Sequence, residues 1–447
     1  MKNKPSWGEK LAFSVGDAGC NFIWTTIGSF LTLYYTDNVG IAAATIGTIM
    51  LLSRIFDGLS DLIMGSIIDR THTKWGKSRP WILWSAIPMA IGLILVFTVP
   101  SSLNYNGKVA YAAITYTLMA VVIYTACNLS YQTLLSLISP DPKDRVMMSS
   151  IRFFFVMAAV LFINYNTQKL VARFGWTGMA VIYGIIAVIL ILITFAFTKE
   201  RNNEDLNNTV TVDKKVENKL PVKESLRLLC KNKYFFFLTI IFTVNYAALG
   251  INNGLRIYYA RDVLGSAALM GTLTLCFILP KMLGNLIYPY IAKALGNWKS
   301  MVIGYVLEMA GLLIMAFFPV SVNTTFLGLI LLGIGGIPHN AGLFAMISDV
   351  VDYGEWKTGV RLDGLTNSAT SFGMKVGAGL GSAIVGWGLA FASYNGKLAT
   401  QTAQTAASIK NLYTFLPVII YAIGFVALLF ANMDKVNKQV RAELLNK

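Results

Sequence analysis

Apolar residues in this chain gather into twelve blocks separated by short polar connections. The blocks run near 11–36, 43–68, 80–100, 109–138, 149–170, 177–198, 234–259, 267–292, 300–320, 324–347, 364–392 and 411–432. A helix rises 1.5 Å per residue, so each block can cross a hydrocarbon core about 30 Å thick. Several are longer than needed, which predicts tilt or extension into the interface. One long polar stretch, residues 199–233, interrupts the series and carries many charges. The pattern predicts an all-α membrane protein with twelve transmembrane helices. A six-helix bundle spans 1–198, a cytoplasmic linker 199–233, and a second six-helix bundle 234–447.

Composition agrees with that picture. Of 447 residues, 55% are hydrophobic and only 13% charged, against about 25% charged in soluble domains. This excludes an ordinary soluble enzyme, a disordered chain and a disulfide scaffold. Cys20, Cys127 and Cys276 lie within apolar blocks, Cys230 lies in the linker, and no CxxC occurs. Neither a disulfide framework nor a zinc site is suggested. Met1 to Lys10 is short and polar, so the first apolar block is expected to insert and stay rather than be cleaved. The net charge of +15 would suggest nucleic acid in a soluble protein. Here the basic residues sit in connections on one side. With the N-terminus inside, 26 Lys and Arg fall in inner segments and 6 in outer loops. The positive-inside rule therefore places both termini in the cytoplasm of a multi-pass plasma-membrane protein and leaves no reason to invoke a nucleic-acid partner.

The two halves also echo each other. The first block ends in LYYTDNVG and the seventh in IYYARDVLG, about 224 residues later. The loop after the second block reads KWGKS and that after the eighth GNWKS. Two parallel halves of six helices are the architecture of major facilitator transporters.

Charges inside a membrane are costly and ask for a reason. The second block holds Arg54, Asp57 and Asp61 in RIFDGLSD. Asp57 and Asp61 are four apart and share a helix face. Two carboxylates that close repel unless a cation or proton lies between them. Ser60 and Thr125 offer neutral oxygens, and an all-oxygen set suits Na⁺ or a proton rather than a transition metal. The other reading is a static network with Arg54 and Lys375. The matching segment of the second half, LPKMLGN, carries Lys281 but no acid, so the acidic pair is not a requirement of the fold. Lys375 sits among Gly373, Gly377 and Gly381, spaced every four residues as in a close helix-packing face. It calls for Asp57 or Asp61 as partner, or for snorkelling to an interface. The fourth block carries Tyr124, Thr125, Asn128, Tyr131 and Gln132, the first Asp17 and Asn21, and the fifth Arg152. Amides, carboxylates, arginine and aromatic rings are the groups that read a polyhydroxylated ligand; interhelical hydrogen bonding is the plainer reading.

In the inner loops, Asp69 and Arg70 lie in a basic segment, and Asp349, Asp352, Glu355 and Asp363 lie beside Lys357 and Arg361. Opposite charges there suit either a gate or a solvated surface. His72 and His339 form no ligand cluster, and no GxSxG, HExxH or P-loop occurs, so catalysis has no support.

These segments resemble the glycoside–pentoside–hexuronide cation symporters, the melibiose-carrier branch of the major facilitator superfamily. YYTDNVG, RIFDGLSDLIMGSIIDRTHTKWGKSRPW, YTACNLSYQ, IRFF and SDVVDYGEWKTGVRLDG carry the resemblance over nearly the whole chain. It implies that Asp57 and Asp61 bind the coupling ion, with Thr125 assisting and Ser60 beside them. It implies a sugar site at Asn21, Tyr124, Asn128, Gln132, Arg152 and Lys375, with Arg54, Asp17, Asp69, Arg70, Asp349, Asp352 and Arg361 in coupling and gating. The melibiose carrier has aspartates at Asn21 and Asn128, asparagine at Ser60 and tryptophan at Gln132. The two asparagines are similar to glucuronide and xyloside members, argue against α-galactosides and admit a uronic-acid carboxylate. The function implied is sugar:cation symport by alternating access in a monomer, with Na⁺ or H⁺ as coupling ion and no other cofactor. The rivals are a cation-coupled lipid or lysolipid carrier and a non-transporting sensor of the same fold.

Overall fold

The computed structural model describes residues 4–139, 141–201, 229, 231–360, 362–398, 400–436, 440 and 443. Among these no strand occurs, only an isolated bridge between Thr73 and Gly76. The chain divides into two compact units, Met1–Glu217 with Asn395–Ala399, and Asn218–Tyr394 with Thr400–Lys447. Residues 202–228 of the expected linker lie outside the described residues.

In the first unit, α1 (Trp7–Leu33) starts at Ser6, whose Oγ accepts from the Glu9 N–H at 3.2 Å. It runs into a π turn, Tyr34–Val39. Then come α2 (Ala43–Arg70), α3 (Arg79–Val96) and α4 (Tyr105–Thr117), the last capped by Asn104. A second π turn, Leu118–Ile123, joins α4 to α5 (Tyr124–Ile138) as one continuous rod. The segment α6 (Pro142–Phe197) is broken at Gly175, whose φ of 70° and ψ of 176° are not helical. Small residues let α1 lie close along α6: a side chain added at Gly16 or Gly19 would strike Thr194, or Ala187 and Ile191. The Thr194 hydroxyl donates to the Ala12 carbonyl at 2.7 Å, and Tyr131 donates to that of Phe13 at 2.7 Å.

The second unit repeats the plan. Here α7 (Lys233–Tyr258) also ends in a π turn, Tyr259–Val263, within the repeated motif. It is followed by α8 (Met270–Leu295), α9 (Asn297–Phe317), α10 (Val322–Thr358), α11 (Asp363–Phe391) and α12 (Ala403–Leu429). The Gly377 and Gly381 stripe of α11 presses on α7: an added Cβ would lie 2.3 Å from the Thr243 carbonyl oxygen at Gly377 and 2.5 Å from that of Ala247 at Gly381.

The repeated loops share a device. Glu200, just past α6, accepts from the N–H groups of Lys77, Ser78 and Arg79 at 2.9, 2.9 and 2.8 Å. Asp434, just past α12, accepts from the Trp298 N–H at 2.9 Å. Each carboxylate meets the positive end of a helix dipole. Each also occupies the space above a glycine with positive φ: an added Cβ would lie 2.2 Å from Glu200 at Gly76 and 2.4 Å from Asp434 at Gly296.

Among the described residues nine stretches are long and apolar enough to cross a bilayer. One of them, Met147–Phe197, has 51 residues, about 77 Å of helix and more than twice a hydrocarbon core. The Gly175 break divides it. α1 and α2, at 27 and 28 residues, fall short in apolarity and not in length, because they carry Asp17, Arg54, Asp57 and Asp61.

Candidate functional site

The polar groups of the first unit's interior converge from three helices. Asp57 is 3% exposed, deep on α2. Its Oδ1 accepts from the Thr125 hydroxyl at 2.8 Å, and its Oδ2 lies 3.3 Å from Arg54 Nη1. Ser60 Oγ is 2.9 Å from the Asp57 carbonyl and 3.4 Å from Thr125 Oγ1. Asp61 follows one turn later, half-buried. The π turn before Tyr124 explains how α5 presents Thr125 here: its wider winding shifts the register of all that follows, and such turns gather at functional sites. Thr125 Oγ1 also lies 3.4 Å from the Ala120 carbonyl, five residues back. A buried carboxylate that accepts from a hydroxyl and lies beside a guanidinium is an anionic oxygen site with hard-ion chemistry.

A second group continues from it. The Arg54 guanidinium lies 3.7 Å from the ring centre of Trp24, and Trp24 is 4.5 Å from Tyr124, centre to centre. The Asn128 amide donates to the Tyr124 hydroxyl at 3.2 Å, and Gln132 donates to Asn128 Oδ1 at 2.6 Å. Tyr124, Asn128 and Gln132 thus form an i, i+4, i+8 ladder up one face of α5. On α1, Asn21 donates to the Asp17 carbonyl at 2.8 Å, and Asp17 Oδ2 pairs with Arg152 Nε at 3.4 Å. Asn21, Tyr124, Asn128 and Arg152 are half-buried and Gln132 is exposed, so each retains surface for a solute.

The other sequence-chosen residues lie elsewhere. Lys375 is half-buried on α11 of the second unit. Asp69, in the last turn of α2, pairs with Lys77 of the loop that follows at 3.4 Å, and Arg70 is exposed. Asp349 and Asp352 are half-buried near the end of α10. Arg361 lies outside the described residues.

The description MFS/sugar transport protein matches residues 12–435. The chain belongs to this family. Members resembling it along nearly their whole length include the isoprimeverose transporter of Lactiplantibacillus pentosus, 34% identical over 100% of this chain and 93% of that protein. The putative glycoside/cation symporter YagG of Escherichia coli (strain K12) is 31% identical over 94% of this chain and 90% of its own. The glucuronide carrier protein homolog of the same strain is 29% identical over 100% and 97%. These relatives match the glycoside–pentoside–hexuronide:cation symporters that the motifs resemble. The nucleoside transporter NupG superposes with a TM-score of 0.64 at 15% identity, covering 94% of this chain and 99% of that one, which shows the major facilitator fold. The family is one of transporters, not enzymes.

Within this family member, sequence reasoning passed over Trp24. Its only signal is its position three residues after Asn21 on α1, one turn along the same face. It also passed over Glu200, whose role depends on a loop 120 residues earlier in the chain. Glu308 of α9 was missed as well, an acid in the apolar middle of its helix.

Proposed function

We propose that the chain is a secondary active transporter that carries a sugar inward with Na⁺ or H⁺ by alternating access. The family and its named symporter relatives support this. So does one observation above all: a single chain of contacts links the buried carboxylate of Asp57 to the polar ladder of α5. It passes through Arg54 on Trp24, Trp24 on Tyr124, and Tyr124 to Asn128 and Gln132. The coupling ion is taken by Asp57 and Asp61 with oxygens from Ser60 and Thr125. The substrate is a glycoside, pentoside or hexuronide held by Asn21, Tyr124, Asn128, Gln132, Arg152 and Lys375. Asp17 orients Arg152; Asp69, Arg70, Asp349, Asp352 and Arg361 serve the inner gate.

In this reading the ion neutralises charge at Asp57 and loosens its hold on Arg54. The guanidinium then shifts on Trp24, and the rearranged ladder binds sugar more tightly. By reciprocity, sugar tightens ion binding by the same factor. The protein makes twelve crossings as a monomer in the plasma membrane, with both termini cytoplasmic and bundles at 1–198 and 234–447. Polar ladders on α1 and α5 favour a sugar over a lipid.

The test is uptake of labelled xylosides, galactosides and glucuronides into proteoliposomes under imposed Na⁺ or H⁺ gradients. A potential of 100 mV is worth about 2.3 kcal/mol per charge, about 50-fold accumulation at one cation per sugar. Asp57→Asn and Asp61→Asn are expected to equilibrate sugar without concentrating it, while exchange of sugar for sugar continues. Normal accumulation by both variants sinks the coupling assignment.

A further inference from the structure

The second unit holds its own buried ionisable cluster, away from the groups used above. Glu308 stands at mid-helix on α9 and is 4% exposed; His339 stands at mid-helix on α10 and is 6% exposed. His339 Nδ1 lies 3.0 Å from Glu308 Oε2. The approach lacks the alignment of a made hydrogen bond, and the other ring nitrogen, Nε2, has no hydrogen-bond partner among the described residues. The second carboxylate oxygen, Oε1, turns to α8. It lies 3.3 Å from the point where a Gly336 side chain would begin, and Lys281 Nζ lies 3.5 Å from that same point. One carboxylate therefore stands between two bases carried by two different helices.

The remaining walls fix the ring. Tyr305 of α9 lies over His339 with centres 3.9 Å apart. Its hydroxyl accepts from Asn245 of α7 at 2.6 Å, and Tyr421 of α12 packs on it at 5.9 Å. Lys281, Tyr305 and Tyr421 are thus the titratable groups that face the pair. No group of three or more His, Cys, Asp and Glu suited to a metal occurs among the described residues. Two nitrogens and one carboxylate in a dry interior suit a smaller ligand, the proton.

A second feature gives the cluster a means of responding. Lys281 directly follows Pro280 within α8, and His339 directly follows Pro338 within α10. Proline removes a helical hydrogen bond and supplies a point of bending. Bending at these points changes the distance of each base from Glu308. With Lys281 near, its ammonium balances the carboxylate, and a further proton would leave a net buried charge. With Lys281 withdrawn, the carboxylate is unbalanced and a proton on His339 is favoured.

We propose that Glu308, His339 and Lys281 form a proton-binding site in the second unit. Its occupancy follows the bending of α8 and α10 and is separate from the coupling ion on α2. The site makes the transport rate depend on pH even when Na⁺ is the coupling ion.

The test uses the full-length protein. His72, the other histidine, is exposed in a loop, so His72→Gln leaves one histidine. Histidine labelled with ¹³C in that background reports the protonation of His339 directly, without transport. The ring signal is followed from about pH 5 to about pH 8, where a histidine can change charge, and is expected to change with pH. Glu308→Gln is expected to lower the midpoint by about one unit and Lys281→Met to raise it by about as much. A signal constant across that range overturns the proposal, and so does one that titrates but is unmoved by both substitutions. If either substitution prevents folding, the labelled parent decides by itself. A sugar-for-sugar exchange assay supplies the functional arm: His339→Gln is expected to flatten its pH profile. The spectroscopic result is independent of Asp57 and Asp61, so failure here and failure of the coupling assignment are distinguishable.

Discussion

Thr125 is the sharpest point at which to probe the ion site. Its hydroxyl donates to Asp57 Oδ1 at 2.8 Å, while Arg54 lies 3.3 Å from the opposite oxygen. Thr125→Val replaces the hydroxyl by a methyl of similar volume, so packing is retained and the hydrogen bond is deleted. A bond to a charged group is worth about 1.5–3 kcal/mol, about 10- to 150-fold in a binding constant. The sign depends on the ion. For Na⁺ the hydroxyl is a lost oxygen ligand, and half-saturation rises by at least about tenfold. For H⁺ the lost donor had favoured the bare carboxylate. The proton then binds more readily, and half-saturation of uptake moves to higher pH by about one unit. The assay is initial sugar uptake in proteoliposomes against Na⁺ at fixed pH, then against pH without Na⁺. Thr125→Ser, which keeps the hydroxyl, should lie near the parent, and Ser60→Ala, whose nearer contact is a backbone carbonyl, should shift less. If Thr125→Val leaves both curves within about twofold, Asp57 is not the ion's ligand.

Three further outcomes follow from the geometry. Trp24→Leu removes the platform between Arg54 and Tyr124, so calorimetric sugar affinities with and without the coupling ion should converge; an unchanged ratio refutes the linkage. Gly76→Ala and Gly296→Ala should each lower stability by about 1–3 kcal/mol, because a positive-φ alanine would also displace a capping carboxylate, whereas Gly28→Ala, whose new methyl meets nothing, should not; thermal unfolding in detergent ranks them. Lys10 lies 2.6 Å from Asp144, and its hydrogen bond holds that carboxyl below the usual carboxylate range. The resulting stability is present above the ordinary carboxylate range and is lost as pH falls through the lowered value, so Asp144→Asn should flatten the acid limb of a melting-temperature profile.

The parts of the site that lie along one helix were legible in the sequence. Asp57 and Asp61 share a face because they are four apart, and Tyr124, Asn128 and Gln132 form a ladder for the same reason. The major facilitator organisation was legible in the repeated segments. What was hidden depends on contacts between helices. Trp24 reads as one more apolar residue of α1 until Arg54 is laid on it. The π turns leave no periodic trace, since hydrophobic spacing fixes where a helix lies and not a single widened turn. His339 was dismissed because no second ligand stands near it in sequence, while Glu308 belongs to another helix. The absence of an acid beside Lys281 was read correctly along α8, and the acid that faces it comes from α9 instead.

The two carboxylate caps bear on how such a chain can be taken apart. Glu200 fastens the end of α6 to the start of α3, and Asp434 brings the segment after α12 to the start of α9. Both fastenings begin and end within one half. A cut anywhere in 202–228 severs neither, so two separately translated polypeptides would each retain their own latch.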